Sequence, residues 1–240
     1  MVMLTVLDLF SGIGGFSLGL ERAGGFKTVA FCEIEPFARA VLAKHWPGVR
    51  CRNDILVSEF DKGEADVVAG GFPCQDISDA GLRAGLAGSR SRLWWGMVRA
   101  IRMVRPAYAI VENVAALLGR GMGGVLGSLA EIGYDTEWHC IPASAVGAPH
   151  RRDRVWIVAY PASAGQPQQK RPGPPIRERG TLEFAGLLGQ PGHPWVTEPD
   201  VGRVAHGVPA RVDRLEGLGN AVVPQIPELI GRAILAAEAA

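Results

Sequence analysis

No apolar run in this chain approaches the roughly 18 residues that a membrane-spanning helix needs. Met1–Thr5 has neither the basic start nor the long apolar core of a signal peptide. The four cysteines, Cys32, Cys51, Cys74 and Cys140, show no CxxC spacing. Without a secretory signal, that argues against a disulfide framework and for a reducing compartment. None of the five histidines stands at ligand spacing from another histidine or a cysteine pair, so no metal centre is expected. Net charge is also nearly absent, at +1, so a positive field for nucleic acid would have to be local. The chain does have apolar residues (48%, against 20% charged), enough for a sizeable core and too many for wholesale disorder. Its 240 residues suit one domain, or one domain with a small insert.

Short apolar runs alternate with amphipathic stretches over residues 1–160, the βαβ rhythm of a mainly parallel sheet. Strands are expected at Leu4–Asp8, Thr28–Glu33, Asp66–Gly70, Tyr108–Glu112, Tyr134–Cys140 and Arg154–Tyr160. Helices are expected at Gly15–Ala23, Pro36–His45, Ser91–Arg105 and Gly123–Ile132. Between Pro161 and Asp200, 14 of 40 residues are Pro or Gly, against 35 of 200 elsewhere, marking a linker or a small irregular module. Ile226, Ile230 and Ile234 then recur at helical spacing, with Leu229 and Ala233 beside them. That apolar face needs the first domain as its partner.

Asp8 to Phe16 joins a strand to a helix through a glycine-rich turn, Ser11-Gly12-Ile13-Gly14-Gly15. Such a turn lets a ligand lie against backbone N–H groups at a helix start. Glu33 ends the next strand, where its carboxylate can accept from ribose hydroxyls. Asp54 follows Asn53 and could accept from an adenine amino group. The GxGG spacing fits a smaller adenosine ligand better than a dinucleotide with a pyrophosphate to cradle.

Gly70-Gly71-Phe72-Pro73-Cys74-Gln75-Asp76-Ile77-Ser78 directly follows a strand, at the sheet end where open α/β folds bind ligands. Cys32, Cys51 and Cys140 read as small buried hydrophobes, but Cys74 sits on a loop opened by two glycines and reads as a nucleophile. Six arginines, from Arg83 through Arg90, Arg92, Arg99 and Arg102 to Arg105, follow with no acid between the first and the last. A run of that kind is often a solvated face; beside a nucleophile it suits a phosphate backbone. Glu112 closes the strand Tyr108–Glu112, where it would either neighbour the Cys74 loop or cap the following helix. In Pro149-His150-Arg151-Arg152-Asp153-Arg154, strand alternation would put Arg152 and Arg154 on one face.

Taken in order, Asp8–Glu21, Asn53–Ile55, Gly71–Ser78, Glu112–Val114, Arg152–Arg154 and Leu218–Pro224 resemble the cytosine-C5 DNA methyltransferases. The resemblance spans roughly residues 4–160 and 203–238, and the Phe-Pro-Cys-Gln and Glu-Asn-Val elements are its most specific parts. It implies a Rossmann-like, S-adenosylmethionine-dependent α/β fold: a mainly parallel sheet with helices on both faces, plus a small irregular target-recognition region. The expected division is 1–160 for catalysis and cofactor, 161–207 for recognition, and 208–240 returning to the catalytic domain.

The resemblance also implies roles. Cys74 would attack C6 of a flipped cytosine, Glu112 would bind N3 and the exocyclic amine, Arg154 would hold O2, and Arg152 would support the site. S-adenosylmethionine would meet Phe10, Gly12, Gly14, Glu33, Ile34, Asp54, Pro73, Asn220 and Val222, leaving as S-adenosylhomocysteine. DNA contacts are expected from Gln75, Ser78, Arg83, Arg90, Arg92, Lys170, Arg171 and Arg177. Duplex DNA is the expected partner of a cytoplasmic monomer, with a cognate restriction endonuclease left open. His150 stands where many members carry Gln, and Trp195 and His206 are open between packing and DNA. Three alternatives stand beside this reading: a tRNA methyltransferase of the same family, a non-catalytic DNA-binding relative, and an NAD-dependent oxidoreductase.

Overall fold

Leu4–Leu9 is apolar at all positions except Thr5 and Asp8, so both faces of that strand need cover, as in a central parallel strand. The computed structural model, which describes residues 3–73, 92–162 and 211–239, places it third in a sheet of seven strands. In chain order the elements are β1 (Leu4–Leu9), α1 (Gly15–Arg22), β2 (Phe26–Cys32), α2 (Pro36–His45), β3 (Arg50–Arg52) and β4 (Val67–Gly71). Then come α3 (Arg92–Val104), β5 (Tyr108–Val114), α4 (Leu117–Arg120), α5 (Met122–Glu131), β6 (Tyr134–Pro142) and β7 (Asp153–Pro161). Helices α6 (Arg211–Asn220) and α7 (Gln225–Ala239) close the chain. The order across the sheet is β3-β2-β1-β4-β5-β7-β6. The first five strands are parallel, and β7 runs antiparallel to both of its neighbours.

That order positions the site. The chain walks outward from β1 to β2 and β3, then returns to the other side of β1 with β4 and β5. The loops leaving the carboxyl ends of β1 and β4 therefore diverge and open a crevice between them, the place where sheets of this kind take ligands. The glycine turn follows β1, and the Phe72-Pro73 root of the Cys74 loop follows β4.

Two apolar layers cover the sheet. On one face, Trp94, Met97, Ile101 and Val104 of α3 and Val125 and Leu129 of α5 pack on Leu7, Val68, Val111 and Ile157. On the other, Phe16 and Leu20 of α1 and Ile226, Ile230 and Ile234 of α7 pack on Val6, Ala69, Ile110 and Val158. Helix α7 lies so close to α1 that a Cβ on Gly19 would collide with the Pro224 carbonyl and the Pro227 ring. Glycine is what lets the backbones touch there.

The expected strands and helices form within two residues of their expected bounds. Four features went unanticipated: β3, α4, the 3-10 turn Ala143–Val146 and α6. β3 is Arg-Cys-Arg and carries no apolar alternation. It holds its place because Arg52 is buried against Glu64 (2.6 Å) and over the Phe60 ring (5.0 Å), contacts that no local pattern announces. One cysteine reading needs correction. Cys32 is buried, but Cys140 is exposed and Cys51 half-buried, because these two lie on the outermost strands β6 and β3 with a neighbouring strand on one side alone. Of the DNA-contact and recognition residues, Gln75, Ser78, Arg83, Arg90, Lys170, Arg171, Arg177, Trp195 and His206 lie outside the described residues, as does Cys74. No helix among the described residues is long and apolar enough to cross a membrane.

Candidate functional site

The glycine turn is built by hydrogen bonds back to the strand it leaves. Ser11 Oγ donates to the Asp8 carbonyl (2.6 Å), and Gly14 N–H donates to the Ser11 carbonyl (2.8 Å). Gly12 and Gly14 take φ of +53° and +89°, and Phe10 also sits at +52°, a region bulky residues rarely occupy. Strain of that sort persists only where the surroundings impose it, and it gathers at ligand sites. Glu33, one residue past β2, ties the turn to the next strand. Its Oε2 accepts from Gly12 N–H (2.6 Å) and its Oε1 from Glu35 N–H (2.8 Å).

Asp8 lies beneath this turn, fully buried. Its Oδ2 accepts from Ser17 Oγ (2.7 Å) and Ser17 N–H (3.3 Å), while Oδ1 has no partner among the described residues. Burial drives its pKa up to about 8 against the opposing pull of Ser17, and the Glu33 and Glu21 carboxylates push the same way as burial. The unfolded chain ionises this group near the ordinary carboxylate value, whereas the folded chain keeps its proton far longer. Its contribution therefore favours the fold at low pH and is lost as pH rises towards 8. Urea unfolding of the wild type and Asp8→Asn at pH 5 and pH 8 checks this. The wild type is expected to lose on the order of 3 kcal/mol more than the variant across that interval. Parallel losses would contradict it.

A second corner forms where β4, β5 and β7 end together. Gly71 is paired with Glu112, and Val114 with Arg154. Arg154 Nε donates to Glu112 Oε1 at 2.9 Å, and its Nη1 donates to the Asp153 carbonyl (2.9 Å). Glu112 is only 9% exposed, and burial raises its carboxyl above the ordinary value, although Arg154 and then Arg152 oppose the rise. Its Oε2 lies 2.7 Å from where a Cβ on Gly71 would stand, so the absence of a side chain at Gly71 makes room for the carboxylate. The root of the Cys74 loop is fastened to this corner. Asn113 Nδ2 donates to the Phe72 carbonyl (2.8 Å), and the Phe72 ring packs on Trp94 at 4.9 Å.

Arg152 departs from the alternation argument. It precedes β7, at φ +36°, so it does not share a strand face with Arg154. Its guanidinium reaches the C-terminal segment instead, donating to the carbonyls of Gly219 (2.7 Å) and Ala221 (3.0 Å). Val222 comes to the glycine turn, its carbonyl close against Gly15, while Asn220 lies between the two carbonyls that Arg152 holds. Ile34 is exposed, Asp54 Oδ1 accepts from Leu56 N–H (2.8 Å), and Pro73 is exposed just before the Cys74 loop. Arg92 is exposed at the first residue of α3, and His150 is exposed ahead of β7.

Residues 4–182 match the family described as C-5 cytosine-specific DNA methylase. The chain belongs to that family. Its relatives include the type II methyltransferase M2.BsuMI of Bacillus subtilis (strain 168), 41% identical over 165 residues, which cover 65% of this chain and 42% of that protein. The type II methyltransferase M.Sau3AI of Staphylococcus aureus is 35% identical over 178 residues, covering 65% of this chain and 43% of its own length. The chain thus spans roughly two fifths of these curated relatives. In fold it resembles the Entamoeba histolytica methyltransferase EhMeth, with a TM-score of 0.66 at 13% identity over 98% of both chains.

Within this methylase frame, the sequence reading missed three contributors: Asp8, Gly71 and Asn113. Each acts by burial or clearance rather than by carrying a reactive group outward. The one signal for Asp8 was an acid inside an otherwise apolar strand, and for Asn113 an amide beside Glu112 at a strand end.

Proposed function

We propose that this chain transfers a methyl group from S-adenosylmethionine to C5 of a cytosine flipped out of duplex DNA, in the cytoplasm. The single observation carrying the proposal is the pairing of buried Glu112 with half-buried Arg154, beside Asn113, which hydrogen-bonds the root of the Cys74 loop.

The residues at the glycine turn suit the cofactor. A Cβ built on Gly12 meets no atom within 4 Å, so open space lies over the turn. Beside it Glu33 offers carboxylate oxygens to ribose hydroxyls, Ile34, 60% exposed, offers an apolar face to the adenine, and Asp54 an acceptor for its amine. The resemblance to the family adds Phe10, Gly14, Pro73, Asn220 and Val222 to this proposed pocket. S-adenosylmethionine, when bound, supplies the electrophilic methyl group that C5 takes up.

Cytosine C5 is a poor nucleophile until the ring is activated. The Cys74 thiolate adds to C6, and the electron pair displaced from the C5–C6 bond moves to C5. Glu112, whose carboxyl burial raises above its ordinary value, shares a proton with N3, and Arg154 donates to O2 through Nη2, so charge developing on the ring meets a partner at each position. Loss of the C5 proton to water and expulsion of the Cys74 thiolate then restore the aromatic ring. Flipping costs on the order of a few kcal/mol, which contacts from the arginine-rich stretch offset.

The test needs a target site first. Bisulfite sequencing of DNA from a methylation-free host expressing the chain identifies it. A duplex carrying 5-fluorocytosine at that position cannot lose its C5 substituent as a proton. It should therefore hold the protein in a denaturation-resistant complex through Cys74. If no methylated site and no trapped complex appear where a type II relative gives both, the proposal is wrong.

A further inference from the structure

Arg152 stands where the two corners meet. Nη1 and Nη2 donate to the carbonyls of Gly219 and Ala221, on either side of Asn220. The next residue, Val222, lies against Gly15 at the start of α1, with its carbonyl oxygen 2.6 Å from where a Gly15 Cβ would be. The segment Gly219–Val222 is therefore gripped by Arg152 on one side and by the glycine turn on the other. Behind Arg152, Arg154 and Glu112 lie close enough for each to act on its charge, and Arg152 acts in turn on Glu112. An arginine reserved for phosphate would keep its donors towards solvent. This one, half-buried and in a sparsely populated backbone conformation, commits two N–H groups to the backbone of one short segment. Lysine has no rigid fork with which to hold both carbonyls.

We propose that Arg152 is a positioning residue that couples the cofactor pocket to the base pocket by tying Gly219–Val222 to the leader of β7. The proposal rests on the methyltransferase reading. A ligand over the glycine turn sets Asn220 and Val222. Their carbonyl neighbours then hold the Arg152 guanidinium still, and a stationary Arg152 fixes the chain that carries Arg154 onto Glu112. By reciprocity, a base held between Glu112 and Arg154 favours the position in which Gly219–Val222 is bonded to Arg152.

The test uses the full chain, with S-adenosylhomocysteine and the identified duplex as probes, and compares wild type, Arg152→Ala and Arg152→Lys. In the wild type, S-adenosylhomocysteine should tighten duplex binding about tenfold. In both variants that factor, the ratio of duplex affinities with and without S-adenosylhomocysteine, should fall below about twofold. Amide hydrogen exchange of residues 219–222 in the ligand-free variants should be faster than in wild type. Should Arg152→Ala fail to fold, Arg152→Lys carries the same three measurements. Undiminished coupling in the variants overturns the proposal. So does weaker duplex binding with the coupling factor intact, which would make Arg152 a plain DNA contact. A wild type that methylates but shows no coupling sinks this inference alone. A wild type that methylates no duplex sinks the functional reading beneath it.

Discussion

Cys74→Ser is expected to lower single-turnover methylation by on the order of 10³-fold or more, while S-adenosylhomocysteine binding stays close to wild type. The separation follows from the topology. The glycine turn belongs to the β1 end and the Cys74 loop to the β4 end, and Glu33 and Asp54, the proposed cofactor-facing acids, accept from Gly12, Glu35 and Leu56 in the segments after β1, β2 and β3. A hydroxyl differs little from a thiol in size, so neither packing nor the turn is disturbed. The loss falls on nucleophilicity, because serine at neutral pH has almost no alkoxide. Isothermal titration with S-adenosylhomocysteine, set beside single-turnover transfer to the identified duplex, reads both quantities. Methylation within tenfold of wild type would remove the covalent step from the mechanism.

Glu112→Gln should cost about 10³-fold in single-turnover rate and also change the shape of the pH profile. Burial raises the Glu112 carboxyl, so the acid form that can share a proton with N3 persists to higher pH than an ordinary glutamic acid allows. As pH climbs through that raised value the proton is lost, and the wild-type rate should fall on the alkaline side. The glutamine variant has no proton to lose there, and its residual rate should lack that falling limb. Arg154 would also lose its charged partner, so thermal unfolding of the variant must be measured beside the kinetics. An unchanged limb in the variant would assign it to another group. Rates equal to wild type would remove Glu112 from the chemistry.

Much of the fold was legible because the relevant signals are local. The runs around Val6, Val68 and Ile110 are apolar on both faces, which only a covered parallel strand tolerates, and helices with one apolar stripe separate them. The glycine turn, Glu33 and Glu112 stood out for a similar reason: each is an unusual residue type at a strand's carboxyl end, the end of the sheet that the proposed function uses. β3 was not legible, since its stability comes from an Arg52–Glu64 pair and a Phe60 ring up to a dozen residues away. Nor was the exposure of Cys140, which depends on β6 being outermost.

Arg152 marks the boundary most sharply. Residue type and a fixed spacing from Arg154 nominated it as a site residue, and period-two alternation was the natural guide to its direction. Its left-handed backbone breaks that alternation, and its partners are carbonyls 67 and 69 positions further along the chain. Composition and local order were enough to place most of the elements and to nominate the end of the sheet and the residues that the proposed chemistry uses. Which donor meets which acceptor, whether a buried acid keeps its proton, and how the C-terminal segment joins the two corners depend on distances between residues remote in sequence. Hydrogen bonding and desolvation act over a few ångströms, so they register those distances and nothing in the linear order.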